Sequence, residues 1–342
     1  MVDITKNTMN LKNKRKIISV SPEKIIETES IQPGQSLPLV IKPAIDGINL
    51  ATWSASNQEW LETKLLQHGG ILFRNFPISD TEGFQHFLKS ISKELIEYSY
   101  RSTSRSQVSG KIYTSTEYPA EQSIPLHNEM AYCHNWPMKI WFFCLEAAEH
   151  GGETPIADSQ KVFQGIDLKI KEQFIQKKVM YVRNYGQGLD LKWENVFQTS
   201  NKSEVESYCC SAGIEFEWKD GNYLRTSQVC QAVATHPKTN DIVWFNQAHL
   251  FHVSSLKPEV RESLLSTVKE EDLPRNAYYG DGSKIEASVI EEINEIYQQS
   301  AVTFSWQSGD ILMLDNMLTA HGRKPFVGTR KVLVGMAEPS WG

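Results

Sequence analysis

Positive charge is not in excess: 35 Lys and Arg stand against 41 Asp and Glu in 342 residues, a formal net charge of −6. A chain so balanced carries no electrostatic footprint for nucleic acid or an anionic membrane surface. The short basic run of Lys12, Lys14, Arg15 and Lys16 is read as a solvated tail. Cysteine is scarce. Cys133, Cys144, Cys209, Cys210 and Cys230 are too few and too irregular for a disulfide framework, and no CxxC spacing occurs, so buried free thiols in a reducing compartment are expected. No apolar run approaches the ~18 residues of a membrane span. The first 30 residues lack an apolar stretch of the signal-peptide kind. A soluble, cytoplasmic protein is therefore expected. Aromatics, by contrast, are plentiful: nine Trp within 10% aromatic and 40% apolar residues allow a sizeable core and exclude an intrinsically disordered chain.

At roughly 150 residues per domain the length allows about two domains. Residues 1–38, poor in aromatics and carrying Pro22, Pro33, Gly34 and Pro38, have the composition of a partly ordered leader. Beyond them strand-like and helix-like segments alternate. Ser56-Asn57-Gln58-Glu59 has the form of a capping box ahead of Trp60, Leu61, Leu65 and Leu66, with Gly69-Gly70 as the stop, and predicts a short helix. Residues 71–76 predict a buried strand. Ser79 to Glu82 predicts a second capped helix with Phe84, Phe87, Leu88, Ile91 and Leu95 on one face. Strands are predicted at 139–146, 242–245, 311–314 and 331–337, and helices after Pro258 and around 289–296. Strands thus lie before and after a helix-rich middle, about 158–210. That pattern fits either separate domains or one β-core with a large helical insertion.

The chemistry starts from histidine. In Pro125-Leu126-His127-Asn128-Glu129 a His and a carboxylate stand two apart. On an extended strand residues i and i+2 share a face and can reach one point, whereas on a helix they diverge. Such pairs are frequent by chance, so further donors are needed. His321 supplies one, in the run Asp315–Arg323 that follows the 311–314 strand. Two imidazoles and a carboxylate on one face form the triad that holds Fe(II) and leaves positions open for co-substrate and oxygen; thiolates would have pointed to zinc or a cluster. Nine residues further, Arg330 offers a guanidinium matched to the distal carboxylate of a metal-bound organic acid. Thr154, in Gly151-Gly152-Glu153-Thr154-Pro155, offers a hydroxyl.

Four segments, HNEMAY (127–132), GGETPIADS (151–159), WFNQAHLFH (244–252) and DNMLTAHGR–PF–GTR (315–330), together resemble the taurine-dioxygenase and clavaminate-synthase-like (TauD/TfdA) family of Fe(II)/2-oxoglutarate-dependent oxygenases. Within it the chain looks most like the branch typified by the syringomycin-pathway aspartyl hydroxylase. The resemblance runs from about residue 65 to the C-terminus. It implies a mainly β chain with helices: a double-stranded β-helix (jelly-roll) core with a large helical insertion between core strands. Residues 39–342 would then be one oxygenase domain, with the helix-rich insertion at about 158–240. It implies His127, Glu129 and His321 as iron ligands and as the catalytic centre, and Arg330 and Thr154 as the residues holding 2-oxoglutarate. Fe(II), 2-oxoglutarate and O2 are the implied cofactor and co-substrates. Relatives that halogenate carry Gly or Ala in place of the carboxylate, so Glu129 favours hydroxylation.

The implied activity is hydroxylation of an unactivated C–H of an amino acid or amino-acid-derived substrate, free or presented on a peptidyl carrier protein, in natural-product biosynthesis. Desaturation, cyclisation or epoxidation at the same iron is the enzymatic alternative; a jelly-roll binding protein with a vestigial pocket is the non-enzymatic one. Neither a nucleic-acid nor a membrane partner is expected. For substrate contacts the resemblance puts Asn246 and Gln247 near the iron. Arg225 is either a contact to an anionic substrate group or a surface charge, and Arg101 and Arg105 are equally open between substrate carboxylate and solvent. His249, His252, Arg323 and His134 are read as structural histidines and a structural arginine.

Overall fold

The run NWPMKIWFFCLE is apolar at nearly every central position because both faces of its strand are buried. In the computed structural model, which describes residues 25–342 apart from 93, 98, 99, 101, 102, 104, 117 and 187–189, this strand, Asn135–Glu146, lies inside an eight-stranded sheet. It pairs antiparallel with Ile311–Asp315 on one side and with Lys331–Trp341 on the other. Trp141 and Phe143 point to one core, where Phe84 stacks on Phe143 with ring centroids 5.0 Å apart. Ile140, Phe142 and Cys144 point to the other. One strand therefore separates two apolar clusters by the two-residue alternation of its side chains.

The first cluster is closed by the helices Leu50–Ser56, Gln58–His68 and Thr81–Ile91. Gly69 ends the second of these in a left-handed conformation (φ 72°), as the Gly69-Gly70 stop predicts. The caps themselves differ from expectation. Ser56 closes the preceding helix, and Asn57 precedes Gln58–His68 without a side-chain cap. Asp80, not Ser79, caps Thr81–Ile91, accepting from the Gly83 N–H at 2.7 Å. The carboxylate outcompetes the hydroxyl because a charged acceptor holds the helix N-terminus more strongly.

The second cluster lies between the large sheet and a three-stranded sheet formed by Ile124–His127, Thr319–Arg323 and Ile156–Asp158. Between Ile156–Asp158 and Ile242–Trp244 comes the insertion. It holds the helices Ser159–Gly165, Leu168–Lys177, Trp193–Phe197 and Lys202–Ala212, as the helix-rich middle predicts. It also holds a sheet that periodicity did not reveal: Glu215–Lys219, Tyr223–Cys230 and Val179–Tyr185, completed by Arg275–Tyr279 from beyond residue 240. Within the expected leader, residues 1–38, the structure describes a strand. Ile26–Ser30 pairs with Leu39–Pro43 as the edge of the large sheet, and Ile26 and Leu37 are buried. Four of the five cysteines are buried free thiols as expected; Cys210 is exposed on its helix. Among the described residues no helix is long and apolar enough to cross a membrane.

Candidate metal and co-substrate site

His127 ends the strand Ile124–His127 and stands directly opposite His321 of Thr319–Arg323 in the ladder. Directly opposed residues share a face, so the two imidazoles meet with ring centroids 4.6 Å apart. Glu129 arrives differently from the extended-strand expectation. The strand stops at His127, and Glu129 lies in the turn that follows, where Met130 has φ 57°. Its carboxylate still meets the imidazoles: one ligand atom each of His127, Glu129 and His321 lies within 4.8 Å of the others.

Two asparagines lace the ligand-bearing segments together. Asn316 accepts from the Glu129 N–H (2.7 Å) and donates to the carbonyls of Glu129 and Pro137, both at 2.9 Å. Asn128 donates to Asn316 O (2.6 Å) and to Ser159 Oγ (2.9 Å). The Pro125 carbonyl can only accept, so at 2.8 Å it takes the His127 Nδ1 proton and leaves the Nε2 lone pair for a metal. Burial lowers the His127 pKa and, together with the facing His127 and Arg105 charges, holds that of His321 well below the usual imidazole value. Both rings are therefore neutral donors at pH 7. The Glu129 carboxyl group lies beside Arg105, whose Nη2 is 2.7 Å from Oε2 with both side chains buried. Two neutral imidazoles and one carboxylate converging in a buried notch match the donor chemistry of Fe(II).

Two cavities meet at this notch. His127 and Arg105 line both. The smaller, about 30 Å³, also has His321, Thr154, Ser115 and Arg330 in its wall. Arg330 Nε donates to Gly152 O at 2.8 Å, and its Nη atoms lie 3.4 Å from Ser115 Oγ and 3.5 Å from Thr154 Oγ1. A Cβ on Gly152 (φ 73°) would come 2.9 Å from Arg330 Cδ, so glycine is what lets the arginine lie across that turn. Burial and the neighbouring Arg323 push the Arg330 pKa down to about 10, still charged at neutral pH. The chemistry suits a carboxylate. The larger cavity, about 490 Å³, contains His127 and Glu129 and opens toward the insertion.

Of the remaining sequence candidates, Gln247 lines the large cavity, its Nε2 donating to Asn128 O at 2.7 Å. Asn246 does not. It turns away, donating to Ala232 O and accepting from the Ala248 N–H, because the short helix Ala248–Phe251 begins there and its first N–H needs a cap. Arg225 is also displaced: it sits on Tyr223–Cys230, opposite Glu217 in the strand register and outside both cavity walls. Arg105 is neither solvated nor free for substrate but paired with Glu129, and Arg101 lies outside the described residues. His249 donates to Leu126 O and His252 bonds Ser254, the structural roles expected. Arg323 holds the carbonyls of Tyr118, Pro119 and Gln122 in place of an ion pair. Sequence reasoning missed Asn128, Asn316, Ser115 and Trp306, whose Nε1 donates to Thr154 Oγ1 at 3.1 Å. Only the asparagines left a signal, being adjacent to Glu129 and within the DN pair that opens the His321 run.

The profile described as the taurine catabolism dioxygenase TauD, TfdA family matches residues 29–337. The chain belongs to this family. It is 41% identical over 302 residues to the dapdiamide synthesis protein DdaC of Enterobacter agglomerans, covering 87% of this chain and 92% of that one. It is 28% identical over 318 residues to a clavaminate synthase-like protein of Arabidopsis thaliana, covering 90% and 92%. The fold is similar to that of PvcB from Pseudomonas aeruginosa, with TM-score 0.55 at 15% identity over 96% of this chain and 94% of that one. A second PvcB structure, described as an Fe, alpha-ketoglutarate dependent oxygenase from an isonitrile synthetic pathway, matches with TM-score 0.54 over the same shares. This TauD/TfdA member is thus a mainly β jelly-roll enzyme of the 2-oxoglutarate-dependent, non-haem iron dioxygenase type. Iron and 2-oxoglutarate are its cofactor and co-substrate.

Proposed function

We propose that His127, Glu129 and His321 hold Fe(II), that Arg330 and Thr154 hold the distal carboxylate of 2-oxoglutarate in the small cavity, and that the large cavity takes the substrate. The convergence of the three donors between the cavities, His127 lining both, Glu129 the large and His321 the small, carries this reading. Bound iron supplies dioxygen activation coupled to decarboxylation of 2-oxoglutarate to succinate. The chain's own part is orientation and exclusion of water. Pro125 fixes the His127 tautomer, Asn316 fixes the backbone of Glu129, and Arg105 holds the Glu129 carboxyl group in place.

The reaction on the substrate is hydroxylation of a C–H in an amino acid or amino-acid derivative, free or carried on a peptidyl carrier protein, in natural-product biosynthesis. The likeness to a dapdiamide synthesis protein supports the biosynthetic setting, and Glu129, occupying the position a chloride would need, supports hydroxylation over halogenation. Desaturation and oxidative cyclisation at the same site would remove two hydrogens where hydroxylation adds one oxygen, so product mass separates them; epoxidation of an alkene adds one oxygen too and is separated by the loss of the double bond. The test is succinate formation from 2-oxoglutarate by the purified chain with Fe(II). His127→Ala should abolish it, and unchanged turnover would overturn the ligand assignment.

A further inference from the structure

The helix Pro258–Thr267 has no buried residue at all. A ten-residue helix is marginal in water unless an apolar face is covered. This one has such a face: Val260 and Leu264, four residues apart, stand above one another, and Leu256 lies just before the helix. All three line the cavity that contains His127 and Glu129, yet Leu256 remains 40% and Val260 46% exposed. The surrounding wall is of the same kind, with Leu191, Leu250, Phe251 and Leu273. The charges there, Asp190 and Arg275, satisfy each other through contacts of 2.6–2.9 Å. This part of the cavity therefore presents apolar surface with little net charge. At about 490 Å³ the whole falls among cavities that accept drug-sized molecules, ~300–1,000 Å³, and exceeds what a small polar amino acid fills.

We propose that the substrate is an amino-acid derivative bearing an apolar arm, and that this arm lies along Leu256, Val260 and Leu264. It rests on the reading of this cavity as the substrate site. The polar head then lies toward the metal notch, and the arm supplies the cover that Pro258–Thr267 lacks.

The experiment uses the full chain loaded anaerobically with Mn(II) and 2-oxoglutarate, and N-acetyl-, N-butanoyl- and N-hexanoyl-L-alanine as probes in calorimetry. Affinity should rise about two- to fourfold per added methylene. Amide hydrogen exchange across 256–267 should slow on binding the hexanoyl probe. In the V260D/L264D variant the chain-length dependence should vanish while 2-oxoglutarate binding stays as in the parent. No binding by any probe, equal affinity for all three, or an unchanged slope in the variant overturns the proposal. So does probe-free protection of 256–267 that grows with protein concentration, which would put a second copy on the helix. Failure of 2-oxoglutarate to bind the Mn(II)-loaded parent is a separate outcome, and overturns the co-substrate reading instead.

Discussion

A single guanidinium distinguishes the two carboxylate duties of the site. Arg105 is spent on Glu129, whereas Arg330 contacts a carbonyl and two hydroxyls, and among the described residues no carboxylate is one of its hydrogen-bond partners. Arg330 is the one left to receive an incoming anion. Hydrogen bonds to a charged group contribute roughly 1.5–3 kcal/mol, so Arg330→Ala should raise the KM for 2-oxoglutarate by about 10- to 100-fold. Mn(II) affinity, read by paramagnetic resonance, should stay within about twofold because no metal ligand is touched. His321→Ala should do the reverse and remove metal binding, beyond the roughly 10–100-fold loss typical of an outer partner. Both positions were legible in the sequence because their residue types are chemically specific. Arg105 was not, since a loop arginine 24 residues before its partner carries no spacing rule.

At the scale of elements, the ligands are held by segments rather than by a strand alone. His249 takes Leu126 O, Gln247 takes Asn128 O and Asn316 takes both backbone groups of Glu129. The WFNQAHLFH segment is thus a clamp on the turn that carries His127 and Glu129. Asn316→Ala would strand the Glu129 N–H and two carbonyls in a buried place. It should destabilise the chain by about 2–4 kcal/mol and weaken Mn(II) binding about 10- to 100-fold. Chemical denaturation of the metal-free chain and a metal titration separate the two effects. Unchanged metal affinity in a folded variant would reduce Asn316 to packing. The sequence placed this segment near the metal, but assigned its amides to substrate. Local pattern cannot tell an amide facing a cavity from one facing a carbonyl.

For the whole molecule, burying neutral histidine ties stability to pH. His249 is buried against Tyr297, and burial pushes its pKa down to about 4 from the model-peptide value of 6.5. Above pH 6.5 the ring is neutral folded or unfolded and contributes no pH dependence. As pH falls from 6.5 toward 4 the unfolded chain takes a proton that the folded chain refuses, so stability is lost. Below about 4 both forms are protonated and the loss is complete. The linkage amounts to about 3 kcal/mol. His249→Gln can keep the donation to Leu126 O without the titration. Parent and variant compared by denaturation at pH 7 and pH 4 should diverge by that order, with the parent losing more; parallel losses would refute the assignment.

The proposed donor set was legible in the sequence, because ligation and carboxylate recognition demand particular side chains, and His127, Glu129, His321 and Arg330 are of those types. Several strands and helices followed for the same local reason, whereas the edge strands Ile26–Ser30 and Leu39–Pro43 and the insertion sheet did not. Tertiary structure decided what those side chains meet. Arg105 rather than solvent faces Glu129, Trp306 reaches Thr154 across 152 residues of chain, and an uncovered apolar helix borders the cavity. Low positive charge and scarce cysteine excluded classes of protein. What fills the large cavity depends on the shape and polarity of walls assembled from distant segments, and no periodicity in the chain encodes that.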